Sequence, residues 1–268
     1  MMTALGRVSV STFVIEAGCS IAVAHLSDLH LPIAPSLMLD VAAAIREHRP
    51  DMLLFTGDYV SSKRGLEDLR RFLELVLREL PRARVFGCLG NWDRRMGIAS
   101  EVATIFRSFG GRLLVNDVTI AEARGCRVCI VGLDDGLRGS PDLSLSCSQR
   151  ADLAIALVHE PAVGVELAKR SFEGVILAGH CHGGQVKVFG HPLLLPPMCP
   201  RRFYEGVHRI GRAVLLVSPG LGTSLLPLRI GCPPAIYVVR FVEKNDLSRL
   251  RVGVQNEGCY THREEHPC

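Results

Sequence analysis

The feature that most restricts the fold is a unit repeated three times along the first half of the chain: a short apolar run, a polar turn, then a segment with helical spacing. Residues 21–26 run into Ser27-Asp28-Leu29-His30, after which Leu37, Val41, Ala44 and Ile45 recur at helical intervals over residues 36–48. Residues 51–56 end in Gly57-Asp58-Tyr59. A helix is expected over 66–80, with Leu69, Phe72, Leu73, Val76, Leu77 and Leu80 on one face and Pro81 as its stop. Residues 84–89 end in Gly90-Asn91-Trp92-Asp93 and lead to a helix through 102–109. Such alternation predicts an α/β chain with parallel strands and helices outside, in which ligand sites lie at the carboxyl ends of the strands. Every acidic, amide or histidine motif named so far stands at such an end.

The second half is less regular. Short strands are expected at 113–115, 118–121 and 127–132, with Asp134-Asp135-Gly136 as an exit turn and an exposed loop over 138–150. A strand at 154–158 ends in His159-Glu160-Pro161 and is followed by a short helix through 165–168. Residues 175–178 run into Gly179-His180-Cys181-His182-Gly183-Gly184-Gln185, which aims two imidazoles into one pocket. Runs at 185–189, 213–218 and 236–242 read as strands of a second sheet. Residues 1–20 are expected to form a first strand or a frayed arm. The whole reads as one domain over 1–242, with its core motifs in 21–185 and a polar, partly disordered tail over 243–268.

Composition removes several alternatives. A hydrophobic share of 48% with 22% charged residues is that of an ordinary globular chain. The net charge of +4 is carried almost wholly by arginine and fits an anionic substrate or an anionic membrane surface. Nucleic acid is not expected as a partner, because only 6% of residues are aromatic and no basic run exceeds two. The best apolar stretch, 213–230, is broken by Pro219, Gly220, Gly222 and Pro227, so no spanning helix is expected. Residues 1–20 lack the apolar core of a signal peptide. Cys126 and Cys129 form an isolated C-x-x-C and read as core or edge thiols, which points to a reducing, cytoplasmic compartment.

Collected in order, the polar residues at the strand ends are Asp28, His30, Asp58, Asn91, His159, His180 and His182. One tetrahedral ion cannot use all of them. Two adjacent cations sharing a carboxylate can, and the mixed nitrogen and oxygen donors favour Mn, Fe or Zn over Ca.

The order D-x-H, G-D, G-N-x-[DE], H, G-H-x-H resembles the calcineurin-like metallophosphoesterase superfamily from Asp28 to His182. The resemblance implies a four-layer αββα sandwich with mixed sheets. It also implies two divalent metal ions, one on Asp28, His30 and His182 and one on Asn91, His159 and His180, with Asp58 bridging. A metal-bridging hydroxide would attack phosphorus, which makes Asp58, Asn91 and His180 the catalytic candidates. One position departs from the family pattern. Where many members have His in the third motif, this chain has Trp92, whose only polar atom is a donor N–H. Either the leaving group needs no proton, as with a nucleotide phosphate, or another residue supplies it. Trp92 then packs at the pocket wall or stacks on substrate. Asp93 is expected to orient a ligand, and His25, Arg94 and His191 are candidates for substrate contact.

Downstream, His182-Gly183-Gly184-Gln185, the run 218–224 (SPGLGTS) and Cys232-Pro233-Pro234 resemble a bacterial branch that includes the UDP-2,3-diacylglucosamine pyrophosphatases of lipid A synthesis and related membrane-associated phosphodiesterases. The implied substrate is a phosphodiester or pyrophosphate, such as a nucleotide-linked lipid. The alternatives are a phosphomonoesterase or phosphoprotein phosphatase, or a non-catalytic binding protein on the same fold. Two apolar loops, 188–198 and 221–228, read as a binding groove, a peripheral contact at the inner face of the cytoplasmic membrane, or simple cover for the sandwich edge. Arg201, Arg202 and Arg229 are candidates for phosphates or headgroups, or else solvated surface. Oligomeric state is left open.

Overall fold

Strands β1 (Val8–Ala17), β2 (Ile21–Leu26), β3 (Met52–Phe55), β4 (Arg84–Gly87) and β5 (Arg112–Leu113) alternate with helices α1 (Pro35–His48), α2 (Gly65–Leu77), α3 (Asn91–Met96) and α4 (Ala99–Ser108). Then come β6 (Asp117–Ala123), β7 (Cys126–Gly132), β8 (Leu153–Leu157), α5 (Pro161–Lys169), β9 (Gly174–Ala178) and a 3₁₀ turn at His182–Gly184. The last strands are β10 (Lys187–Val188), β11 (His191–Pro192), β12 (Gly206–Ile210), β13 (Ala213–Val217), β14 (Ala235–Glu243) and β15 (Val252–Tyr260). The computed structural model describes residues 8–147, 151–224 and 226–243, and the backbone alone of 252–260.

One sheet has the order β15-β1-β14-β2-β3-β4-β5 and the other β12-β13-β9-β8-β7-β6, with β10-β11 a separate hairpin. Strands β2 to β5 run parallel, as the repeated unit predicts, and so do β7, β8, β9 and β13. Both sheets are mixed, because β14 pairs antiparallel with β2, and β6 and β12 pair antiparallel with their neighbours. Three apolar layers hold the elements together. Leu37, Val41, Leu69, Phe72 and Phe106 from the helices meet Ala24, Leu53 and Val85 of the first sheet. Between the sheets, Phe13, Val23 and Leu54 face Val128, Ile155 and Val175. On the far side, Val163 and Leu167 of α5 cover Ala156, Ile176 and Leu215. The result is a four-layer αββα sandwich.

Four expectations need correction. The run 236–242 lies in the first sheet, as β14 between β1 and β2, and not in the second. Its residues alternate between the helix-side and inter-sheet layers, a pattern that either sheet would produce. The run 185–189 contributes only β10, which pairs outside both sheets. Residues 252–260, expected within a partly disordered tail, form β15 against β1, while 244–251 and 261–268 lie outside the described residues. Cys126 and Cys129 are not thiols: disulfides join Cys19–Cys126, Cys129–Cys147 and Cys181–Cys199. Three residues apart on a strand, Cys126 and Cys129 project to opposite faces of β7, so each pairs with a separate partner. The reading of a reducing compartment loses the part of its ground that rested on free thiols. No helix among the described residues is long and apolar enough to cross a membrane.

Candidate metal centre

The five polar turns meet because five parallel strands end on one side. The turns after β2 and β3 are laced together: Asp28 N–H donates to the Gly57 carbonyl at 3.1 Å and His30 N–H to the Asp58 carbonyl at 3.0 Å. The turn after β9 joins that after β8, with Gly179 N–H on the His159 carbonyl at 3.0 Å. The long connection from β13 to β14 then crosses from the second sheet to the first, donating Leu221 N–H to the Ser27 carbonyl and Gly222 N–H to the Asp28 carbonyl. Asp28, His30, Asp58, His180 and His182 all have left-handed backbone, with φ between 45° and 67°. Asp and His tolerate this region better than most residues, yet each such residue persists only where its surroundings over-determine it. Gly57, with φ of 88°, is required by contact as well, since a side chain there would meet the backbone of Gly90.

These turns bring the expected ligands into one group, buried except for the half-buried Asn91. His182 Nε2 lies 3.4 Å from Asp28 Oδ1. Asp58 Oδ2 lies between two imidazoles, 3.5 Å from His30 Nε2 and 3.4 Å from His159 Nε2. His159 Nε2 is also 3.1 Å from Asn91 Oδ1 and 3.2 Å from His180 Nδ1. Two sets have donor atoms close enough to share a cation: Asp28, His30 and His182, and Asp28, Asp58 and His159. Asp28 Oδ1 and His30 Nε2 are buried without any hydrogen-bond partner. Orphaned polar atoms of this kind are costly unless something else satisfies them, and carboxylates with imidazoles suit a divalent cation. The residues therefore fit two metal ions.

Surrounding groups fix the orientation of several candidate ligands. His159 Nδ1 donates to the Thr56 carbonyl at 2.6 Å and His180 Nε2 to the Pro197 carbonyl at 2.7 Å, which leaves the other nitrogen of each ring free to ligate. Ser27 donates its hydroxyl to Asp28 Oδ2 at 2.6 Å and accepts that of Thr56, which is 2.9 Å from His25 Nε2. Asp93 receives the backbone N–H groups of Asp58, Tyr59 and Gly90, tying the turns after β3 and β4 together. Burial and the neighbouring Asp58 push its carboxyl up to about 8, against the pull of those donors.

Burial lowers His25 and His182 to about 3, so both are neutral. Burial alone would raise Asp58, but His159 and His30 beside it hold its carboxyl below the usual range. His182 and Asp58 thus stand in the forms that metal binding needs, whereas at His159 the neighbouring Asp58 and Asp28 outweigh burial and raise the imidazole, so a cation there would displace a proton.

The candidate substrate contacts fare differently. Trp92 sets its ring edge-on against His30, with centroids 5.5 Å apart, and donates its backbone N–H to Asp58 Oδ1 at 2.8 Å. Arg94 is engaged by Asp134, with Nε 2.7 Å from Oδ1. His191 is exposed on β11, and no hydrogen bond or ion pair joins it to the group among the described residues. Arg229, open to reading as solvated surface, is buried; it donates to the carbonyls of Pro219 and Gly222 and lies 3.3 Å from His182 Nδ1. A lone arginine between leucine and isoleucine carries no signal of such a position.

Comparison with known proteins agrees with the geometry. A model of the calcineurin-like phosphoesterase family matches residues 21–184. The uncharacterized metallophosphoesterase YkuE of Bacillus subtilis is 30% identical over 83% of this chain and 79% of its own length. The phosphodiesterase YaeI of Escherichia coli is 29% identical over 81% of this chain and 80% of its own. Among solved structures, the purple acid phosphatase PPD1 from yellow lupin seeds superposes with a TM-score of 0.52 at 13% identity, over 89% of this chain and 52% of that one, a likeness of fold alone.

Proposed function

The chain belongs to the calcineurin-like phosphoesterase family, whose members are two-metal hydrolases of phosphoester bonds, and we propose that it cleaves a phosphodiester or pyrophosphate. The observation that carries this reading is the buried pair of ligand sets sharing one end of the sandwich, with Asp58 between His30 and His159. We assign Asp28, His30 and His182 to one cation and Asn91, His159 and His180 to the other, with Asp58 bridging. Mn, Fe or Zn in those positions would supply Lewis acidity and an activated water.

The protein's own part is to hold and to exclude. Pro197 and Thr56 keep the two ring nitrogens of His180 and His159 aimed inward. Asp93 fixes the turn that carries Asp58. Trp92 fills the space beside His30 with an apolar edge and offers no acidic proton. A leaving group that departs as a stable anion suits such a wall better than a poor alkoxide, which supports a nucleotide phosphate on the leaving side. The similarity to YaeI, a phosphodiesterase by name, points the same way. The finer reading is a nucleotide-linked lipid of the UDP-2,3-diacylglucosamine kind, which would bring the protein to a bilayer surface.

The test is hydrolysis of bis-p-nitrophenyl phosphate and p-nitrophenyl phosphate by metal-stripped protein with Mn²⁺ restored. We expect metal-dependent cleavage that favours the diester and is lost in Asp58→Ala, followed by cleavage of UDP-2,3-diacylglucosamine. Monoester preference would make the protein a phosphatase instead, and failure to bind metal would end the catalytic reading.

A further inference from the structure

Just beyond the ligand turn, the surface reverses its ordinary character. Phe189, at the tip of the β10–β11 hairpin, is 97% exposed; Leu194 is 83% exposed and Leu193 58%. Val188, Leu226 and Ile230 are exposed beside them. The two segments that carry these side chains lie side by side, because Lys187 N–H donates to the Ile230 carbonyl at 2.8 Å and Gln185 Nε2 to the Leu226 carbonyl at 2.8 Å. The face is continuous with the metal centre: Gly184 packs on Pro192, and the Pro197 carbonyl that orients His180 lies on the strand-to-loop return.

Its charge is as one-sided as its hydropathy. No Asp or Glu occurs between residues 185 and 204 or between 219 and 234, while Arg201 and Arg202 stand exposed on the adjoining loop. Of the basic groups here, Lys187 is paired with Glu205 and Arg229 is buried, which leaves the two arginines to face outward. Apolar tips flanked by arginine and free of acid complement a bilayer whose headgroups are anionic: the tips enter the acyl boundary and the guanidinium groups meet phosphate.

We propose that the β10–β11 hairpin, with Leu193, Leu194, Leu226 and Ile230, docks this protein on an anionic bilayer, so that the metal centre works on a phosphodiester or pyrophosphate headgroup still anchored in the lipid. The proposal rests on the phosphodiesterase reading for its substrate, but docking itself needs no catalysis.

The experiment is co-sedimentation of the full chain with vesicles of phosphatidylcholine, with and without phosphatidylglycerol, alongside Phe189→Ser/Leu194→Ser and Arg201→Gln/Arg202→Gln. Wild type should pellet with the anionic vesicles. The apolar double variant should bind about tenfold or more weakly, the effect of withdrawing two large side chains from water. The arginine double variant should lose the preference for anionic lipid and its sensitivity to salt. Both should hydrolyse bis-p-nitrophenyl phosphate in solution as wild type does. Absence of wild-type binding to either vesicle, or equal binding by the apolar variant, would overturn the proposal. So would a dimer that the apolar variant dissolves, since the face would then cover a second copy. Vesicle binding without diester hydrolysis would strike the phosphodiesterase reading and leave the docking face standing.

Discussion

The ligand nest and the hairpin beside it break the same rule in opposite directions. In the nest, Asp28, Asp58, Asp93, His159 and His182 are buried, and most of the candidate metal ligands adopt left-handed backbone. On the hairpin, Phe189 and Leu194 are almost fully exposed. Ordinary folding would place each set where the other sits. The difference lies in what holds them. Each nest residue is fixed by partners from other strands, so its cost is carried by both sheets. The hairpin is held by backbone bonds within itself and to Ile230, so its apolar side chains are free to serve something outside the chain.

The sharpest way to break this contrast is Asp58→Ala. Asp58 Oδ2 contacts both His30 and His159, so its loss disconnects the two ligand sets. Diester hydrolysis should fall by about a thousandfold or more, since a bound cation contributes several kcal/mol to the transition state. Chelation of wild type should match it, and Mn²⁺ should rescue only wild type. Comparable activity in the mutant would show that the nest is not the reacting site.

Next comes Asp93→Ala, which leaves the N–H groups of Asp58, Tyr59 and Gly90 buried without an acceptor. Unfolding by denaturant should show a loss of about 3 kcal/mol or more. A smaller cost attaches to the rim of the nest. Cys181 sits between His180 and His182, and its bridge to Cys199 closes a loop across a separation of 18 residues. Cys181→Ser/Cys199→Ser should lose about 3 kcal/mol or less. It should also slow turnover several-fold with little change in metal content, because the Pro197 carbonyl that orients His180 is then less firmly held. Unchanged kinetics would mean that the hydrogen bond alone positions the ring.

How far these features were legible in the sequence follows from how local they are. The β2, β3 and β4 units with α1 and α2 could be read because apolar period and strand-end motif agree within each unit. All seven candidate ligands lay on such motifs, and the structure gathers them. What escaped was non-local. The residues of β14 alternate in a way that fits either sheet, and only pairing with β1 and β2 at the far end of the chain decides between them. The disulfide partners of Cys126 and Cys129 depend on which face of β7 each occupies. Arg229 gave no sign of burial, because its acceptors are backbone carbonyls contributed by a loop.

The smallest expected effect tests the other side of the contrast. Phe189→Ser/Leu194→Ser should change unfolding free energy by no more than about 0.5 kcal/mol, the usual range for surface sites. The side chains are nearly bare, and the hairpin keeps its backbone bonds, including Leu193 N–H on the Val186 carbonyl at 3.0 Å. If stability instead fell by about 2 kcal/mol, a cost typical of buried apolar side chains, Phe189 or Leu194 would have to pack against this chain in solution. The hairpin would then be cover for the nest and not a surface for lipid. A null result in denaturant together with lost vesicle binding would separate the two regions completely, with one holding the fold and the metals and the other holding only the membrane.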